Sequence, residues 1–411
     1  MKVANMVNRM LTLPRHSPSM RVRARRRTSA GLDTTVFDAV IEAGDPAACR
    51  QLAVELAAFL ADPATPEIER HAVVPAVLKL AGYPDKGLRR ELAARLGQAP
   101  ALHADIVFTL AAAEDEIALP FLAATRALDA WRMLAILQVG DAARQVMLAK
   151  RRDIHPEAVA AIAARGCPGA VAALLDNAAC RLRASDCRRM YERFVDEPEI
   201  VERLLERPDL PPELRILHAR QAAVRVESLL ATRGWMAPGD AEAFLAEAEE
   251  AAILRILETS EPRHLDRLMA FLSTRDMLHA SLILRAACRG RMGVVEQALS
   301  WLSSVPRKRV HALMAGQGSV ALKAVFGAAG LPTASFPVFK AAVEAWRRIG
   351  PSAVSMAAEE FGRHVVESLM TGFPDMPGPE RAAQLELVSR FTEGRTRELA
   401  HRLRDKVAEA A

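Results

Sequence analysis

A short helical period runs through the middle of this chain, and no other feature narrows the possible folds as much. One aliphatic residue, set in a tight polar or proline-bearing turn, recurs at Leu102, Leu128, Ile154, Leu182 and Leu210, at intervals of 26, 26, 28 and 28 residues. Each interval has room for two short helices and their connections. A unit of that size cannot keep its own apolar face dry, so neighbouring units must stack into a continuous core. Two of the turns also match in their letters: Arg152-Asp153-Ile154-His155-Pro156-Glu157 and Pro208-Asp209-Leu210-Pro211-Pro212-Glu213. In both, proline presets φ at the head of the next helix, where no amide donor is needed, and the glutamate beside it suits the helix dipole.

Apolar residues return at three- and four-residue steps nearly everywhere, and no convincing period-2 run is present, so the expected class is all-α. Stop signals such as Gly82-Tyr83-Pro84, Gly140-Asp141 and Gly166-Cys167-Pro168 cut the chain into helices of about 8 to 15 residues. The expected architecture is an α-solenoid of short helix pairs followed by a helical C-terminal region. At 411 residues the chain exceeds what one core usually serves. The reading assigns 1–32 to a basic, disordered leader, 33–87 to a helical N-terminal cap and 88–234 to the repeats. It assigns 235–371 to the C-terminal helices, the first N-capped by Asp240, and 372–411 to a break and a terminal helix.

The formal charge of +5 conceals an asymmetry. Lys2, Arg9, Arg15, Arg21, Arg23, Arg25, Arg26 and Arg27 all precede the first acid, Asp33, and with those eight removed the charge becomes −3. The first residues lack the apolar stretch of a secretory signal, and no run of about 18 apolar residues occurs, so a cytoplasmic, non-spanning protein is expected. The five cysteines contain no CxxC pair and read as reduced, mostly buried thiols.

Reactive constellations are missing from the letters. Cys167, Cys180 and Cys187 are too widely spaced, and without an intervening histidine, for a structural zinc site. The histidines are dispersed and read as surface or capping residues, and the tryptophans as core at helix seams. No GxSxG, HExxH or GxxxxGK[ST] occurs, and Gly316-Gln317-Gly318-Ser319 reads as a helix-breaking turn. The acidic turn Glu114-Asp115-Glu116 reads as a solvated helix start. No cofactor and no metal are expected.

Charge within the repeats is more informative. From Arg144 to Arg193 ten basic residues face five acids. Because equivalent turns of a solenoid line up along one edge, Lys150, Arg151, Arg152, Arg181, Arg183, Arg188 and Arg189 are the candidate stripe for an anion or a partner. The acidic helix from Asp240 offers an internal counterpart that would neutralise such a stripe.

Several stretches also resemble a known family. Leu88-Arg89-Arg90-Glu91-Leu92-Ala93, Ala143-Arg144-Gln145 with Ile154-His155-Pro156-Glu157-Ala158-Val159, and Ala170-Val171-Ala172-Ala173-Leu174-Leu175-Asp176-Asn177 are similar to the bacterial domain-of-unknown-function family 2336, found mainly in alphaproteobacteria. So are Leu282-Ile283-Leu284-Arg285-Ala286-Ala287-Cys288-Arg289-Gly290, Ala321-Leu322-Lys323-Ala324 and Gly330-Leu331-Pro332 with Phe336-Pro337-Val338-Phe339. The resemblance spans about residues 88 to 350. It implies HEAT-like helical repeats, no established activity, and no catalytic residue to carry over.

The functional expectation is a non-enzymatic scaffold that binds a protein partner. The alternative is a nucleic-acid-associated protein using the arginine stripe and the basic leader. An enzyme of the HEAT-like DNA glycosylase kind is a third reading, and it requires a carboxylate beside an aromatic ring in a pocket.

Overall fold

All five marker residues sit in turns, and each stands two positions before the first residue of a helix: those helices begin at Ala104, Ala130, Pro156, Ala184 and Pro212. The structure, a computed structural model, describes residues 34–234 and 236–409. The leader assigned to 1–32 lies outside the described residues. The rest is helical, with two short 3-10 segments and no strand among the described residues. The chain divides into two units between Leu210 and Pro211.

The first unit holds α1 (Thr35–Glu42), α2 (Pro46–Ala61), α3 (Glu67–Ala72), α4 (Val74–Ala81), α5 (Lys86–Leu96), α6 (Ala104–Ala111), α7 (Asp115–Ala124), α8 (Ala130–Val139), α9 (Ala142–Ala149), α10 (Pro156–Arg165), α11 (Pro168–Asp176), α12 (Ala184–Phe194) and α13 (Pro198–Glu206). Their starts are written locally. Asp45, Asp85, Asp129 and Asp141 cap α2, α5, α8 and α9 by accepting a backbone N–H, and proline opens α2, α10, α11 and α13. From α4 onward the helices pack in two rows. α5, α7, α9, α11 and α13 each lie against the next in one row, with α2 ahead of them, and α4, α6, α8, α10 and α12 do so in the other. Within each pair the two rows also touch, as α6 does α7 and α12 does α13. That is the serial packing of an α-solenoid. Its core is made of residues such as Leu88, Leu92, Ile106, Phe121 and Leu122, all essentially without exposure. The rows already begin at α2 and α4, within the segment read as a cap.

The second unit holds α14 (Pro212–Arg233), α15 (Pro238–Thr259), α16 (Pro262–Thr274), α17 (Ala280–Cys288), α18 (Met292–Ser303), α19 (Arg307–Ala315), α20 (Ser319–Ala328), α21 (Phe336–Ile349), α22 (Ala358–Thr371), α23 (Gly378–Phe391) and α24 (Gly394–Glu409). Three expectations are corrected here. α14 and α15 are each 22 residues long because no Gly or Pro interrupts 213–233 or 240–259, and they pack together as a hairpin closed by Gly234 at φ 64. The N-cap of α15 is Ala237, leaving Asp240 in its first turn. The single terminal helix is two helices, α23 and α24, separated near Gly394 at φ 54.

Packing in this unit is concentric. α17 is buried from Leu282 through Cys288, Arg285 included, and touches α15, α18, α21, α22 and α23. A helix dry on all sides belongs at the centre of its unit. Gly290, just past its end at φ 77, is required twice over: its backbone is left-handed, and a Cβ there would stand 2.9 Å from the Phe361 ring.

Candidate functional site

The turns that follow the helices of the first row are stitched to one another along one edge of the first unit. Arg132 donates to the carbonyls of Ala127, at 2.8 Å, and of Leu102, at 3.2 Å. Arg151 donates to the carbonyls of Leu122 and Thr125, the latter at 2.7 Å. Asn177 Nδ2 donates to the carbonyls of Ala149 and Arg151, at 2.9 and 2.7 Å. Arg207 donates to those of Asn177 and Cys180, at 2.9 and 2.6 Å, and Asp209 accepts the Leu182 N–H at 3.0 Å. The turns around residues 102, 127, 152, 180 and 208 therefore form one contiguous line. Carbonyls left without partners at the C-termini of α7, α9 and α11 are satisfied by side chains of the following repeat.

This arrangement removes one residue from the expected stripe. Arg151 is 8% exposed, holds Asp153 at 2.9 and 2.7 Å, and spends its other donors on backbone carbonyls. It is a clasp between repeats and offers no surface to a ligand. Arg207 and Asp209 build the same device one turn before α14, with Nε to Oδ1 at 2.8 Å. Burial works to raise the Asp209 pKa, but the Arg207 guanidinium and the Leu182 N–H prevail and hold it below the usual carboxylate value; hydrogen bonding to Asp209 raises that of Arg207.

The other six are different. Lys150 and Arg152 lie on the turn before α10, Arg181 and Arg183 on the turn before α12, and Arg188 and Arg189 about one helical turn further along α12. All six are exposed, and their side chains have no hydrogen bond or ion pair among the described residues. Arg126, on the turn before α8, is exposed and unpartnered in the same way and joins them. Its sequence signal is its register: it stands two positions before its marker, Leu128, as Arg152 stands two before Ile154. Arg165, also exposed and unpartnered, lies at the far end of α10, about 15 Å along the helix axis from this edge.

Among the other described residues of the first unit the basic side chains are engaged. Arg50 pairs with Asp85, Lys79 with Asp38, Arg89 with Glu114, Lys86 and Arg90 with Glu116, and Arg144 with Asp115 and Asp141. The acidic turn 114–116 thus supplies counterions to the neighbouring repeats. Beneath the basic edge, Asp186 is buried in the first turn of α12, where a carboxylate favours the positive end of the helix dipole; one of its oxygens has no hydrogen-bond partner.

The acidic helix α15 has occupants of its own. Glu250 accepts from Arg285 at 2.8 Å and from Ser281, Glu247 meets Arg285 at 3.3 Å and also Arg397, and Glu258 meets Arg291 at 2.9 Å. These contacts lie within the second unit and account for much of the charge that had suggested a neutralising counterpart.

Other candidates fall into place with less consequence. His103 and His155 cap α6 and α10 through Nδ1. Trp131 and Trp301 are exposed, not core as expected, while Trp346 is half-buried; Trp235 lies outside the described residues. Trp131 meets the Phe108 ring edge-on at 5.3 Å. Burial pushes the Cys187 and Cys288 thiols up to about 12. No group of three His, Cys, Asp or Glu among the described residues is placed to hold a metal ion, and no described helix is long and apolar enough to cross a membrane. One cleft of about 230 Å³ is lined by Arg289, Ala358, Glu359, Thr392, Glu393 and Gly394; another, of about 210 Å³, lies between the ends of α8 and α10.

A family model described as "uncharacterised protein conserved in bacteria" matches residues 117–376, from α7 of the first unit into the second. Compared with the curated proteins and the solved structures, the chain finds no match. The matched span covers more than half of the sequence and includes every residue of the basic edge, and on that ground the chain belongs to this bacterial family, DUF2336.

Proposed function

We propose that this chain is a non-enzymatic helical-repeat scaffold that binds a protein partner in the cytoplasm. The observation that carries the reading is that, among the described residues of the first unit, the unpartnered cations other than Arg165 lie on one line of turns and on the adjoining part of α12, while the remaining basic side chains are engaged. A row of helix pairs presents a long continuous surface, and seven exposed cationic side chains left in water along it can meet a ligand without first breaking an internal contact.

The reading is tested by photo-crosslinking in native cytosol from a reactive amino acid placed at Arg152 or, as the comparison, at Ala112 on the opposite edge. A discrete protein adduct from position 152 and none from position 112 is expected. Adducts absent from both, or equal at both, would refute it.

The same guanidinium groups support a second reading, association with nucleic acid, with the basic leader adding affinity. Titration with duplex and single-stranded nucleic acid at two salt concentrations addresses it, because phosphate contacts weaken steeply as salt rises. An absence of binding at low salt ends it.

A further inference from the structure

We propose that the basic edge takes an acidic, extended segment of its partner, with a carboxylate at every third residue; this rests on the scaffold reading above. Arg126, Lys150, Arg152, Arg181 and Arg183 stand on three consecutive turns, one turn per helix pair. Helices packed in a row lie about 8–10 Å apart, so the cations repeat at that interval. A polyproline-type strand has three residues per turn and rises about 3.1 Å per residue, returning the same face to the edge every 9 Å or so. A Glu or Asp at each third position therefore meets one turn after another, and a guanidinium group donates two parallel hydrogen bonds to the planar carboxylate.

Charge on the remainder of the unit favours this ligand over a nucleic acid. Residues 34–210 contain 21 Lys and Arg against 26 Asp and Glu, so the edge is a local positive line on a negative body. Duplex DNA carries a charge about every 1.7 Å along its axis and would run on over that repelling surface. A short peptide follows the line alone. Single-stranded binding draws on aromatic platforms, and the exposed Trp131 at the start of α8 is engaged edge-on with Phe108.

The test uses the full chain and a fluorescent twelve-residue peptide, (Glu-Ala-Pro) repeated four times, read by anisotropy at two salt concentrations. The comparison probes are a peptide of the same composition with its glutamates contiguous and a single-stranded oligonucleotide of equal length. Variants are R152E/R181E and, as the off-edge control, R165E; all three positions are exposed and without partners, and every variant keeps the leader. Expected are tightest binding of the periodic peptide, a loss of about tenfold or more and a shallower salt dependence in R152E/R181E, and no change in R165E. Equal losses in R152E/R181E and R165E, equal affinity for the two peptides, or tighter binding of the oligonucleotide would each overturn the proposal. If peptide binding fails while a protein still crosslinks at position 152, the scaffold reading stands and only the acidic partner is refuted.

Discussion

The two units differ in how far their arginines reach, although Arg347 of the second closes the end of α19 as the arginines of the first close theirs. In the first, Arg132, Arg144, Arg151, Arg193 and Arg207 each reach the carbonyls of a helix or turn about one repeat back, between 26 and 33 residues away. In the second, Arg285 is buried at the centre of the bundle, and its partner Glu247 is shared with Arg397, 150 residues further along. A constant, short reach makes a structure whose stability is approximately a sum of neighbour terms. Contacts between distant parts of the chain tie the bundle into one cooperative body. The difference teaches that the positive charge of a repeat unit is first a means of closing helix ends, and that only what is left over can serve a ligand.

The largest effect is expected in the second unit. Glu250→Ala leaves Arg285, 4% exposed, without its main counterion and should cost about 3–5 kcal/mol, seen as an early loss of the whole unit in denaturant. Replacing both partners together, E250M/R285M, should recover most of that loss. An equal loss in the double variant would mean that the site demands charge and not merely compensation.

In the first unit Arg151→Met deserts the carbonyls of Leu122 and Thr125 and should cost about 2–3 kcal/mol, with proteolytic nicking appearing first in the turns near residues 125 and 152. Arg152→Met, one residue along and unpartnered, should alter the unfolding free energy by no more than about 0.5 kcal/mol. Similar losses from the two would erase the distinction between clasp and free cation.

Acid should act on the clasp with a definite sign. Because Asp209 is held below its ordinary value of 3.8, its contribution is complete at neutral pH and declines only as pH falls below that value toward the lowered one. The stability gap between the native chain and D209N should therefore be constant above about pH 5 and narrow below pH 4. A gap that narrows on the alkaline side would contradict the assignment. The smallest effect separates the thiols: half-buried Cys167 should react with a disulfide reagent well before Cys187 and Cys288, which wait for opening of the fold.

The architecture of the first unit was legible because its signals are local. An aliphatic residue two positions before a helix, and Asp, His or Pro at that helix's start, survive as letters wherever the chain folds. The roles of neighbouring arginines were harder to read: Arg151 and Arg152 are identical in type, and one is a clasp while the other is free. A signal was present even so, since Arg151-Arg152-Asp153 and Arg207-Pro208-Asp209 share an arginine two residues before an aspartate, and both such arginines are buried. Exposure of Trp131 and Trp301, and the central place of α17, depend on which helix lies alongside, which no window of sequence contains. Arg126 is harder to read because its turn lies outside the dense basic run, although its register matches that of Arg152.

Native-state hydrogen exchange in Arg207→Met tests most directly whether the first unit is a series of neighbour contacts. Faster exchange confined to residues 168–209, with the amides of 46–96 unchanged, is the expected result. Uniform acceleration from α2 to α13 would show a single cooperative core and would contradict the account.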